Sequence, residues 1–224
     1  MNILISRTQK LTAIILFTLM VLMSFNTVAQ TTSWNENFTI FPQDNNELTV
    51  LEPSIDSRII YVDSEQGNDA TAIVYSPSDH LSIFHPASEI ASYKTISAAL
   101  LNAREGFPDW ILLKKGSIWE IDATTSVPSG RSATERTIFA SYGGNSVSQR
   151  PLIKTGVRTA FAGIGVNFIV IKGIEFHANG RDPNSPDFEG FGNTGSPNGI
   201  YFSAPNTSIL VEDTVTSFYK NNIL

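Results

Sequence analysis

The chain has 224 residues, 42% hydrophobic and 16% charged, a balance that excludes a disordered protein and suits a folded globular or solenoid domain. It has no cysteine, which rules out a small disulfide-stapled module and a lipoprotein attachment point. A formal net charge of −6 argues against nucleic acid or an anionic membrane surface as partner, because both repel an acidic protein.

The opening "MNILISRTQK" carries Arg7 and Lys10 and no acid, and Leu11 to Phe25 follows as an almost unbroken apolar run of 15 residues. Small residues Thr27 and Ala29 then occupy the positions three and one before a cleavage point. A basic head, an apolar middle and a small-residue exit predict a secretory signal peptide over residues 1–29. The run is short of the roughly 20 residues that span a bilayer, so no membrane association is expected after cleavage. Cleavage removes both cations, leaving 13 Lys and Arg against 21 Asp and Glu, a net charge of −8. The expected location is secreted, periplasmic or at the cell surface.

Residues 30–57 are polar with scattered aromatics and two prolines, and read as a leader lying over the fold. Over 58–108 organised structure begins. Ile59 to Val62 is a short β-rich run, ended by Asp63 and the turn cluster Gly67-Asn68-Asp69. In "SYKTISAALLNAREG", Ile96, Ala99, Leu100 and Ala103 recur at helical spacing and Gly106 is the stop, which predicts a short amphipathic helix over Thr95 to Arg104.

From 109 to 224 the pattern changes. Short apolar runs ("WILLKKGSIWEI", "RTIFASYGG", "PLIKTG", "NFIVIKGIEF", "NGIYFSA", "SILVEDTVTSF", "NNIL") alternate with Gly, Asn, Asp, Pro and Ser. No amphipathic helix lies between them, which excludes a doubly wound α/β sheet. An antiparallel sandwich or barrel and a β-solenoid remain, and spacing separates them. Asn198 and Asn221 begin like segments 23 residues apart, while Ile169 and Ile171 match Ile209 and Val211 at 40. The excess of 17 is the length of the polar stretch Gly180 to Ser196. A lap that recurs once bare and once with a loop spliced in is what a solenoid gives. Asn167 and Asn206 are expected at corners in the left-handed conformation. Trp110 and Trp119 read as wall and corner packing.

"YVDSEQGNDA", "YKTISAALLNA" and "DWILLKKGSIWEI" together resemble the opening of secreted right-handed parallel β-helix proteins of the pectate lyase-like superfamily. "SGRSATERTIFASYGGNSVSQRPLIKTG", "NFIVIKGIEF" and "SILVEDTVTSFYKNNI" are similar to their successive coils, so the resemblance covers Arg58 to Leu224. It implies an all-β, single-stranded right-handed parallel β-helix with a short N-terminal capping helix. It also implies a protein that acts on polysaccharide, with a monomer expected. The amphipathic segment fits a cover for one open end of the stacked sheets, whereas Asn222-Ile223-Leu224 begins a further coil without a cap. The chain is therefore expected to be truncated at its C-terminus.

The one large interruption of the coils is His177 to Asn198. Loops of this length inside a fold tend to carry function. Glu175, His177, Arg181 and Asp182 are the candidate substrate-binding residues. Asp187 and Glu189 are the candidate metal ligands, for calcium, a hard cation that several oxygens satisfy. Two carboxylates facing across a bond would serve hydrolysis instead. In the resembled superfamily the catalytic residues commonly sit on middle coils, which here points past Leu224. The expected function is that of a polysaccharide lyase acting on acidic glycans. The alternatives are a non-catalytic carbohydrate-binding or adhesive solenoid and a glycoside hydrolase of the same fold.

Overall fold

The apolar runs become strands, and the pairings among these strands are parallel. A computed structural model describes residues 48–80, 82–144, 149–191, 197–203 and 205–224, all within the unit Phe41–Leu224. The expected signal peptide and most of the expected leader lie outside the described residues. Among those described, β1 (Ile59–Val62) and α1 (Ile96–Leu100) come first, and strands then follow in triplets. These are β2 (Trp110–Lys114), β3 (Ile118–Glu120) and β4 (Thr125–Ser126); then β5 (Thr137–Tyr142), β6 (Leu152–Lys154) and β7 (Phe161–Ile164). The third lap is β8 (Asn167–Lys172), β9 (Glu175–His177) and β10 (Asn198–Ser203). The fourth is β11 (Thr207–Glu212), β12 (Val215–Ser217) and β13 (Asn221–Ile223).

First strands join β1 in a five-stranded sheet, β1-β2-β5-β8-β11; second strands form β3-β6-β9-β12 and third strands β4-β7-β10-β13. The chain visits the three sheets in rotation, as a β-solenoid does. Ile169 pairs with Ile209 and Ile171 with Val211, the separation of 40 read from the sequence. Asn198 pairs with Asn221 at 23, and Leu152 pairs with Glu175 at the same bare spacing. The extra residues of the third lap are the loop between β9 and β10.

Alternate side chains of each strand point inward. Ile111, Leu113, Phe139, Ile169 and Ile171 meet Trp119, Ile153 and Phe176 from the second sheet and Phe161 and Ile200 from the third. Phe161 packs edge-on against both Phe139, at 5.0 Å, and Phe176, at 4.9 Å, so three rings fill the middle of the interior. The helix covers the β1 end of this core with Ile96 and Ala99. Thr95 caps it, its hydroxyl accepting from Ala98 N at 3.2 Å, while Asp69 accepts from the N–H groups of Lys94 and Thr95. The helix is shorter than expected. Beyond Leu100 the bonds tighten to Asn102 N to Ala99 O and Ala103 N to Leu100 O, three residues back, and Arg104 N turns away to Asp109.

The long sheet is buried on both faces. Ile59, Tyr61, Trp110, Leu112, Ile138, Ala140, Tyr142 and Val170 form a second, outer core, covered by Leu51, Tyr75, Ile83, Phe84 and Ile90. Trp110 therefore packs outward, 5.5 Å from the Phe84 ring, and Trp119 inward, with its indole N–H donated to Lys94 O. Two-sided burial is the physical reason for runs such as "WILL" and "FIVI", in which alternation is lost. The free edge of β1 is closed by single bridges to Tyr75 and Tyr93.

The corners differ from expectation. Neither Asn167 nor Asn206 takes a positive φ; Phe168 at 60° and Ser208 at 55° do, one above the other in the stack. Asn167 instead links laps with its side chain. Its Oδ1 accepts from Thr207 N at 2.8 Å and from Thr207 Oγ1 at 2.9 Å, and its Nδ2 donates to Gly165 O.

Candidate functional site

The outer cover leaves the long sheet no free face, so among the described residues a site on a sheet wall has the two shorter sheets to choose from. In β3-β6-β9-β12 the middle residues Trp119, Ile153 and Phe176 point inward. Their neighbours point out, in two columns. One is Ile118, Leu152, Glu175 and Val215; the other is Glu120, Lys154, His177 and Ser217. In the second column Glu120 and Lys154 place opposite charges on adjacent laps. Lys154 Nζ lies 3.1 Å from Glu120 Oε1 on the lap before and is in register with His177 on the lap after.

His177 ends β9, and its Nε2 lies 3.2 Å from Asp182 Oδ2. Asp182 is held in place by accepting from Asn184 N through Oδ1. The His177 ring also lies 5.3 Å from the ring of Phe218, which follows β12. Glu175 shares the outward face with His177, and among the described residues no hydrogen bond or ion pair engages its carboxylate. The structure thus brings together Glu175, His177 and Asp182 of the expected residues, and adds Lys154.

Arg181 stands apart. It sits in the 3-10 turn Asn179–Arg181, is buried, and donates from Nε to Phe218 O at 3.0 Å and from Nη1 to Phe191 O at 3.0 Å. It fastens the loop to the next lap rather than facing outward. The same turn is pressed against the second lap: Gly180 N donates to Gly156 O, and a Cβ at Gly180 would lie 2.7 Å from Val157 Cγ1.

Asp187 accepts from Asn179 Nδ2 at 2.9 Å, and Glu189 N donates to Gly180 O. Both therefore help shape the loop. Among the described residues no three His, Asp or Glu side chains converge as a metal site, so Asp187 and Glu189 are not joined by a third ligand there.

Lys154 and the phenylalanines of the loop escaped the sequence reading. Lys154 acquires its place from a neighbouring lap, which only register reveals. "DFEGFG" did carry a signal, since two phenylalanines in a polar loop are out of character. Comparison with family models, curated proteins and solved structures gave no match, so the site's chemistry rests on its own geometry.

Proposed function

We propose that this chain belongs to an exported, right-handed parallel β-helix protein that acts on acidic polysaccharide, with the outward face of β3-β6-β9-β12 as its glycan-binding wall. One observation carries the reading: Lys154 and the His177–Asp182 pair sit side by side on the outward face of a sheet, where the long loop begins. A chain of sheet rungs matches an extended polymer, and a lysine beside an oriented imidazole matches a uronate. In a lyase step Lys154 holds the sugar carboxylate and His177 takes the proton from the adjacent carbon. The C–H electrons form the new C=C bond, the glycosidic C–O bond breaks, and the departing oxygen takes up a proton from water.

The test is to incubate the protein with pectin, alginate and glycosaminoglycans and follow the ultraviolet absorbance of unsaturated ends. Release that disappears in His177→Ala supports the lyase; silence across all of them removes it. A second reading, a glycan-binding solenoid without catalysis, is favoured by Arg181 and Asp187 being engaged in holding the loop together. It predicts retention on the same polymers without cleavage.

A further inference from the structure

We propose that Phe188, Phe191 and Phe218 form a stacking subsite for a pyranose ring beside the His177–Asp182 pair; this rests on the glycan reading above. The three rings are 40%, 58% and 40% exposed, which is unusual for phenylalanine. Phe188 and Phe191 pack edge to face at 5.4 Å. Phe191 and Phe218 are fastened to one buried guanidinium: Arg181 bonds both their carbonyl oxygens, and its Cζ lies 5.5 Å from the Phe191 ring centre. The rings are therefore anchored through their backbones.

Phe218 also has a positive φ, 64°, a conformation that strains a bulky side chain. Where a corner needs that conformation without a ring, this chain uses other residues. Gly173 at 70° and Asp213 at 49° are stacked at one such corner. Phe168, which shares the conformation, is half-buried. Phe218 differs: it is a strained residue, more exposed than Phe168, with its ring against His177.

The ligand class follows from the mixture of surfaces. An aromatic face is electron-rich and attracts polarised C–H bonds, which a pyranose presents on one face. The rim of the same ring carries hydroxyls, and His177, against the Phe218 ring, and its partner Asp182 are adjacent to meet them. A purely apolar partner would desolvate those polar groups without offering them new hydrogen bonds.

The test uses the full chain and affinity electrophoresis through gels containing pectin, alginate or chondroitin sulfate, followed by calorimetry on any retained polymer. The variant is Phe188→Ala/Phe191→Ala/Phe218→Asn, the last change keeping a residue that tolerates positive φ. The expected result is binding weakened about tenfold or more, with the difference persisting at high salt and cooperative thermal unfolding retained. Retention of the native chain with equal binding by the variant overturns the subsite and leaves the glycan reading intact. Failure of the native chain to bind any of the polymers overturns both. Concentration-dependent dimerisation of the native chain, lost in the variant, assigns the patch to self-association and overturns the subsite. Should the triple variant fail to fold, Phe191→Ser, at the most exposed ring, decides by the same readings.

Discussion

Thr49 binds Glu212 across 163 positions of sequence, giving its carboxylate both the backbone N–H, at 3.0 Å, and the hydroxyl, at 3.0 Å. Lys172, in register with Glu212, completes the clamp: its Nζ lies 2.8 Å from Glu212 Oε2 and donates to Thr49 O at 2.6 Å. Further along, Ser54 bonds Glu135 and Asp56 pairs with Arg131. The start of the described chain is thereby laid across the long sheet, from β11 back toward β5, over the outer core. Glu212→Gln keeps an acceptor but removes the charge facing Lys172. It should cost about 1–2 kcal/mol in chemical denaturation and speed proteolysis within residues 48–57.

Acid should loosen the same clamp. Burial alone would raise the Glu212 carboxyl, but Lys172 and the two donors of Thr49 outweigh it and hold it below its ordinary value of 4.5. Asp63 behaves alike: burial opposes Lys114 and the N–H groups of Glu65 and Gln66, and the net result lies below 3.8. For a depressed carboxyl the unfolded chain binds the proton first. The stabilisation is thus complete above the ordinary value and is lost as pH falls through the folded one. Unfolding free energy should therefore fall from about pH 4.5 downward, with a shallower slope in Glu212→Gln. Equal slopes in the two proteins would remove Glu212 from this role.

The interior predicts a large, local effect. Phe176 is fully buried against Phe161, and Phe176→Ala should cost about 3–5 kcal/mol, read as a shift in urea midpoint. Ile55, almost fully exposed, provides the contrast, and Ile55→Ala should stay within about 0.5 kcal/mol of the native protein.

The loop seat predicts a steric effect. Gly180 lies against the backbone of Gly156, so Gly180→Ala should destabilise by about 1–3 kcal/mol and lower glycan retention together, because the turn carrying Arg181 must move. Unchanged melting and retention would mean that the loop seat is looser than the geometry shows.

The laps were legible because a stacked sheet repeats its apolar side chains at a fixed interval, and Ile169 over Ile209 or Asn198 over Asn221 shows the interval directly. The outer cover was not. The stretch with Pro77 and Pro86 has neither helical nor alternating spacing, although Ile83, Phe84 and Ile90 reach the outer core. "IIYV" and "WILL" held the clue, since a sheet with one wet face would alternate. At the candidate site, Glu175 and His177 were legible from their place at the entrance to the one large interruption of the coils. Arg181 was not, because a guanidinium bound to two backbone carbonyls leaves no trace in residue type.

The winding of the chain can be tested directly with cysteine pairs, which the native sequence lacks. Glu175 and Val215 are in register on adjacent laps and both point outward, about 5 Å apart between Cα atoms by strand spacing. Glu175 and Ser217 lie on the same face but two positions out of register, about 8 Å apart and beyond disulfide reach. Under mild oxidation Glu175→Cys/Val215→Cys should close an intramolecular bond, while Glu175→Cys/Ser217→Cys should remain reduced. Closure of the second pair and not the first would contradict the stacked parallel laps on which the proposed wall and its glycan subsite depend.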